Sequence, residues 1–292
     1  MSAIFILAAG GTGGHMFPAE AFAAELKRRG QSPVLITDER GAPYSKRPMS
    51  GFFGVPVHTV RAGTFSPRHP LKAANAALDI LAGIFAAYRI ERSLRPGLAV
   101  GFGGYPSLPA MLAARWTGVP RLIHEQNAVL GRANRWLAPA VEGIATSFDR
   151  TRGVRPKDQG KVCVTGNPVR GPVAYIGGKK YLEPDAEGRV NLLVMGGSLG
   201  ARIMGDVVPD GVGQLSPELR QRIKVVQQCR EEDLDQVQAK YREHGIAVEL
   251  VPFIDNVAER LAHAHLVISR AGASTIAELT AAGRPALLVP YP

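Results

Sequence analysis

His15 stands directly after Gly10-Gly11-Thr12-Gly13-Gly14, between the apolar run Ile4 to Ala8 and a helix-like segment from Pro18 to Arg29. A strand that turns through glycine into a helix gathers unpaired backbone N–H groups and the positive end of a macrodipole at one spot, which suits an anion such as phosphate. The same dipole disfavours an imidazolium, so His15 is a candidate neutral base near physiological pH; a histidine that only packs in the turn is the competing account. The device recurs where Val190 to Met195 opens into Gly196, Gly197, Ser198 and Gly200, and a further glycine turn, Gly101 to Pro106, follows another apolar run. None of these loops has GxxxxGK[ST] or GxGxxG spacing, which argues against a Walker loop and a dinucleotide fingerprint.

Two polar clusters also fall at strand ends. RLIHEQN places His124, Glu125, Gln126 and Asn127 together, as part of a site or of a solvated loop. In SRAGASTIAE, Ser274 and Thr275 lead a helix and Glu278 lies one turn in. Thr275 and Glu278 would make a capping box on the ordinary reading. On the functional reading, a carboxylate one turn above a phosphate-facing helix start accepts both hydroxyls of a ribose. Asp233-Leu234-Asp235 imitates a metal-binding DxD inside an acidic helix-like stretch, and Asp38 imitates the ribose-binding acid of a dehydrogenase without its glycine fingerprint. No residue is assigned to a metal, and no cofactor is expected.

The elements that must carry these residues alternate. Strand-like runs at Ile4–Ala8, Val34–Thr37, Leu98–Val100, Arg121–His124, Gly143–Thr146 and Lys161–Thr165 are separated by helix-like segments such as Leu108–Thr117. The scheme repeats at Val190–Met195, Arg222–Gln227, Val248–Val251, Leu266–Ser269 and Pro285–Val289, with a charged helix-like stretch from Glu231 to Tyr241. This is the pattern of an α/β fold with parallel sheets covered on both faces. Pro and Gly cluster from Thr165 to Gly178, where a hinge is expected, giving domains 1–166 and 167–292.

At 292 residues and 46% hydrophobic content, the chain can bury two domain cores. Its formal charge of +10 is concentrated early, with 17 Lys and Arg against 9 Asp and Glu in the first 150 residues. The excess suits an acidic partner; with 7% aromatic residues and no basic run interleaved with aromatics, nucleic acid is disfavoured. Cys163 and Cys229 have neither disulfide-framework nor zinc spacing, and the strand-like start carries no basic leader, so a reduced cytoplasmic setting is expected. Ala73 to Ile90 contains Asn75, Asp79 and Arg89 and falls short of the ~20 apolar residues of a spanning helix.

Six ordered motifs, GGTGGHMFPAEA, GFGGYPSLPA, HEQNAVLGRAN, TGNPVR, GGSLGAR and SRAGASTIAELTAAGRPALLVP, make the chain resemble the MurG family of peptidoglycan glycosyltransferases from its first strand to its last residue. The resemblance implies the GT-B fold, two Rossmann-like domains facing a cleft. It implies metal-independent, inverting transfer of N-acetylglucosamine (GlcNAc) from UDP-GlcNAc to the C4 hydroxyl of the muramyl sugar of lipid I, giving lipid II. Thr12, Gly13, Gly14 and Asn127 then look like residues that approach the donor sugar or the acceptor, with Gly103, Gly104, Tyr105 and Asn134 on the acceptor side. Arg170, Ser198, Ile254, Ala273, Ser274, Thr275, Ile276, Ala277 and Glu278 look like UDP-GlcNAc contacts, Glu278 on the ribose. His15 is the leading base, with Glu125 and His124 as rivals or helpers.

The implied location is peripheral, on the anionic cytoplasmic leaflet of the bacterial inner membrane, with a cell-wall or division complex as a further partner. The segment from Arg61 to Arg95 fits such docking: Arg61, Arg68, Lys72, Arg89, Arg92 and Arg95 against Asp79 and Glu91 bracket Leu71, Leu78, Leu81, Ile84 and Phe85. Leu199 and Ala271 are mild departures from the family pattern, and the family continues past the final strand, so a truncated C-terminal part is expected. Alternatives are a catalytically impaired UDP-sugar-binding scaffold of the same fold, or another GT-B sugar-nucleotide enzyme such as an epimerase, against which HEQN and GGYPS argue. An NAD-dependent oxidoreductase is disfavoured by the loop spacing.

Overall fold

Short runs rich in Val, Ile and Leu, too apolar to leave either face in water, fold as central parallel strands. In the computed structural model, which describes residues 2–47, 50–63, 70–197 and 202–290 and no side chains from 70 to 74, the chain divides into two units, Met1–Pro168 and Val169–Pro292. In the first unit the strands are β1 (Ile4–Ala8), β2 (Ser32–Thr37), β3 (Val57–Thr59), β4 (Leu98–Gly101), β5 (Arg121–Glu125), β6 (Gly143–Thr146) and β7 (Val162–Val164). They pair in parallel in the order β3-β2-β1-β4-β5-β6-β7. The second unit holds β8 (Val190–Met195), β9 (Ile223–Gln228), β10 (Ala247–Val251), β11 (Leu266–Arg270) and β12 (Ala286–Val289), in the order β10-β9-β8-β11-β12.

Each sheet is doubly wound, because alternate side chains feed two cores. In β1, Ile6 and Ala8 join one apolar cluster and Leu7 the other; in β8, Leu192 and Val194 face one way and Leu193 and Met195 the other. The chain order reverses between β1 and β4 and again between β8 and β11. These reversals are the switch points at which open α/β sheets bind ligands. Register puts the flanking loops level: Ala8 pairs with Gly101, and Met195 with Ser269.

Several expectations change. The first helix runs Gly13–Arg28 with Thr12 as N-cap, so Pro18 lies inside it rather than near its start. A proline there cannot donate to the Gly14 carbonyl four residues back, yet the surrounding core holds the helix, with Met16, Pro18, Ala19 and Ala23 all buried. The Pro/Gly-rich stretch Thr165–Gly178 is not all linker: Gly171–Ile176 is helical and buries Val173 and Ile176 in the second unit's core. Val57–Thr59, a strand of only three residues, had no run long enough to announce it.

The Pro70–Leu94 helix packs beside the Ser107–Thr117 helix. One face, with Ala76, Ile84 and Ala87, is core. Leu78, Leu81 and Phe85, spaced i, i+3 and i+7, are exposed, as is Trp116 of the neighbouring helix. Ile84 thus leaves the apolar group expected to face outward, and Arg68 together with the side chains of Leu71 and Lys72 lies outside the described residues. Among the described residues no helix is long and apolar enough to cross a membrane.

Glu91 faces the seam between these two helices, 1% exposed, with Thr117 Oγ1 donating to its Oε2 at 3.1 Å. Burial pushes its carboxyl from 4.5 up to about 8. Between those values the unfolded chain releases a proton that the folded protein keeps, so this group lowers folding stability as pH rises through that window. Glu91→Gln should therefore stabilise the protein by of the order of 2–4 kcal/mol at pH 8, and by clearly less at pH 5, in urea unfolding.

Candidate functional site

At the first switch point, the β1 loop and the β4 loop meet across His15. The histidine occupies the third position of the Gly13–Arg28 helix, with its amide donating to Thr12 O at 3.1 Å. Its ring packs close to the β4 turn: a Cβ on Gly103 would stand 3.0 Å from His15 Cδ2 and 3.4 Å from Asn134 Nδ2. A Cβ on Gly104 would stand 3.0 Å from the Gly10 carbonyl and 3.4 Å from His15 Nδ1. Both glycines also have φ in the left-handed region, +93° and +75°, so close approach and backbone conformation each require the missing side chain. Burial lowers the His15 pKa; the Glu125 charge and the Gly10 carbonyl pull it back only in part. The imidazole is thus held towards its neutral, proton-accepting form.

His124 and Glu125 occupy the end of β5. His124 is 3% exposed and Glu125 1%, whereas His15 is half-buried, so among the three candidate bases only His15 keeps access to solvent. His124 Nε2 lies 3.0 Å from the Gly166 carbonyl and must donate to it, while burial lowers its pKa. Glu125 accepts from Asn127 N and Nδ2, both at 3.0 Å, through Oε1, and from Gly131 N at 2.8 Å and Asn134 Nδ2 at 2.9 Å through Oε2. Four donors fill the lone-pair directions of this carboxylate. Gln126 is also buried and donates to Phe102 O at 2.8 Å; only Asn127 of this polar run is exposed. Tyr105, after the glycine turn, meets Trp136 edge to face at 6.2 Å.

Asp38, set aside as a weak ribose ligand, has a local task. Its Oδ1 accepts from Gly11 N at 3.3 Å and Gly41 N at 3.0 Å, and its Oδ2 pairs with Arg40 at 2.8 Å. It ties the first glycine loop to the end of β2. An acid at the strand beside a switch point, opposite a glycine loop, was the sequence signal for that role.

At the second switch point Gly197 is described, with φ +86°, while Ser198, Leu199, Gly200 and Ala201 lie outside the described residues. The Ala273–Ala282 helix starts from Gly272 as N-cap with no side-chain cap, so the expected Thr275–Glu278 capping box does not form. Ala273, Ser274, Thr275, Ile276 and Ala277 are half-buried along its first turns. Glu278 is buried, and its Oε1 accepts from Arg170 Nε at 2.7 Å, uniting two residues 108 positions apart. Ile254 packs its side chain into the core with Val173 and Leu261, which leaves its backbone as the part that can meet a ligand. Asp233 faces the Arg202 guanidinium at 3.7 Å, and no group of His, Cys, Asp and Glu among the described residues is placed to hold a metal.

Two doubly wound α/β units, each with glycine-containing loops at its switch point, have the architecture on which nucleotide-sugar enzymes are built. Residues 5–146 match the glycosyltransferase family 28 N-terminal domain, and residues 191–292 the glycosyltransferase family 28 C-terminal domain. The UDP-N-acetylglucosamine--N-acetylmuramyl-(pentapeptide) pyrophosphoryl-undecaprenol N-acetylglucosamine transferase of Erythrobacter litoralis is 49% identical over 288 residues, 99% of this chain and 71% of that protein. The protein of the same name from Paramagnetospirillum magneticum is 50% identical over 290 residues, 99% of this chain and 77% of its own. The crystal structure of Acinetobacter baumannii MurG matches with a TM-score of 0.68 at 28% identity, over 99% of this chain and 78% of that one. A UDP-GlcNAc 2-epimerase from Neisseria meningitidis shares the fold alone, with a TM-score of 0.66 at 12% identity over 99% of this chain and 82% of that one. The chain belongs to glycosyltransferase family 28, within its MurG group, and has the α/β architecture of GT-B enzymes.

Gly103→Ala should cost roughly 1–3 kcal/mol in urea unfolding and displace the His15 NMR signals, because the new methyl meets the ring. Gly118→Ala, at φ +73° with open space around it, should cost only the backbone part, about 1 kcal/mol, and leave His15 undisturbed.

Proposed function

We propose that this chain transfers GlcNAc from UDP-GlcNAc to the C4 hydroxyl of the muramyl sugar of lipid I, with inversion, forming lipid II. The observation that carries this reading is the pair of switch points: one holds a half-buried, neutral-leaning imidazole between two glycine turns, the other an Arg170–Glu278 pair beside a helix start. In a single displacement His15 takes the proton of the acceptor hydroxyl, the oxygen attacks the anomeric carbon, and the carbon–oxygen bond to UDP breaks with its electron pair leaving on the β-phosphate. Backbone amides at the helix start and the nearby glycine loop stabilise that charge. Glu278, steadied through Oε1 by Arg170, offers its second oxygen to the ribose hydroxyls. Arg170, Ser198, the Ile254 backbone and Ala273 to Ala277 complete the donor site. Thr12, Gly13, Gly14 and Asn127 approach the reacting sugars, and Gly103, Gly104, Tyr105 and Asn134 lie on the acceptor side.

The acceptor is lipid-linked, which gives the exposed stripe a role. Leu78, Leu81, Phe85 and Trp116, flanked by the exposed Arg61, Arg89, Arg92, Arg95 and Arg115, dock on the anionic cytoplasmic leaflet. Apolar insertion is reinforced by about 1 kcal/mol for each cation near the surface.

The direct test is incorporation of radiolabelled GlcNAc into a lipid I analogue, with titrations of UDP-GlcNAc and NAD to separate the nucleotide classes. His15→Ala should lower kcat by roughly 10²–10⁴-fold and leave UDP-GlcNAc affinity unchanged; full turnover would remove His15 as the base. In liposome flotation, binding should rise with anionic lipid and weaken in Phe85→Ser. Equal binding to neutral vesicles would rule out the charge contribution.

A further inference from the structure

Trp136 has no part in the chemistry above, yet it is 55% exposed beside the first switch point. It lies on the Arg132–Leu137 helix, whose Ala133, Asn134 and Leu137 are buried. Asn134 anchors that face by donating from Nδ2 to the His124 carbonyl at 3.0 Å and to Glu125 Oε2 at 2.9 Å. Two residues further on, at about 100° of rotation per residue, Trp136 points away from the anchored side. Its ring is nevertheless fixed: it meets Tyr105 edge to face, with centroids 6.2 Å apart and planes at 69°. Tyr105 in turn is half-buried against the core of the first unit, so the pair is held from beneath.

The pair stands next to the base. Tyr105 is bonded to Gly104, and a Cβ on Gly104 would stand 3.4 Å from His15 Nδ1. An exposed apolar side chain elsewhere on the surface needs no explanation, but this one borders the place where His15 would take a hydroxyl proton. The occupant of that place is the molecule that carries the hydroxyl. Aromatic ring faces are negative, which disfavours a phosphate against the indole. A pyranose is suited to it. Its hydroxyls lie largely in the plane of the ring, so the C–H groups on its faces pack on an aromatic surface while its edge stays open to polar groups such as the exposed Asn127.

Resting on the reading of His15 as base towards a sugar acceptor, we propose that Trp136, steadied by Tyr105, is an acceptor-binding residue of this chain. Its indole receives the C–H face of the acceptor's muramyl ring and so selects which sugar is presented to His15. No bond to Trp136 forms or breaks.

The chain has two tryptophans, Trp116 and Trp136, so Trp116→Phe leaves Trp136 as the sole indole. That protein is titrated with a short-chain, water-soluble lipid I analogue and, separately, with UDP, while its fluorescence is followed. The Trp136 emission should change saturably with the analogue and stay unchanged with UDP. In transfer assays, Trp136→Ala should raise the KM for the analogue about tenfold with the KM for UDP-GlcNAc unchanged, and Trp136→Phe should recover part of the loss. Circular dichroism melting checks the fold of each variant. An emission that does not respond to the analogue, or responds equally to UDP, overturns the proposal, as does an unchanged analogue KM in folded Trp136→Ala. Should Trp136→Ala not fold, the fluorescence titration and Trp136→Phe decide in the same way. Fluorescence reads binding without turnover: a saturable response to the analogue in a chain that transfers no GlcNAc would sink the functional reading and leave the acceptor contact standing, whereas transfer without a response would overturn this proposal alone.

Discussion

Parallel pairing of a central strand with neighbours that continue in opposite directions is the constraint on which the rest depends. Because β1 pairs with both β2 and β4, the chain must cross from one side of the sheet to the other, and the crossing leaves a gap at the strands' carboxyl ends. Ala8 and Gly101 finish at the same level, so the two turns that follow are forced against each other. Glycine is what allows that contact. The Gly10 carbonyl and the His15 ring occupy the space that side chains at Gly103 and Gly104 would fill.

Buried carboxylates at the strand ends are met by donors or a cation. Asp38 is balanced by Arg40 and two amides, Glu125 by four donors, and Glu278 by Arg170. Each of these carboxylates lies at a strand end or in the first turns of a helix beside a switch point, where loops supply backbone and side-chain donors. Glu91 is the contrast. It is buried between two helices whose backbone donors are already used, has among the described residues only the Thr117 hydroxyl as a side-chain partner, and so keeps its proton up to about pH 8.

Much of this was legible in the sequence because strand runs and glycine turns are local signals. Ile4–Ala8, Gly143–Thr146 and Val190–Met195 are strands over the very residues their composition marks, and the glycine loops follow them at the switch points. What local signals could not carry was anything set by packing. Pro18 reads as a helix start, but the buried face continues back to Gly13 and holds a proline in the interior. Thr275 and Glu278 have capping-box spacing, yet Arg170, far away in sequence, claims the carboxylate. Ile84 and Phe85 are adjacent and equally apolar; only the helix's rotation against its neighbour decides that one is core and the other exposed. HEQN could not be divided into buried and solvated residues without knowing that the Arg132–Leu137 helix brings Asn134 back over it.

The residues that perform chemistry in this arrangement are few, and they are held by others that do none. A base near a helix N-terminus and partly removed from water pays twice when it becomes a cation, once to the dipole and once to desolvation. For His15 as the proposed base, both effects favour the neutral form at rest, and both oppose the proton it would accept. At the end of β5, four donors hold the Glu125 carboxylate in place. The glycine turn at the end of β4 thus makes room for the imidazole, while the polar run at the end of β5 is fixed by its own hydrogen bonds.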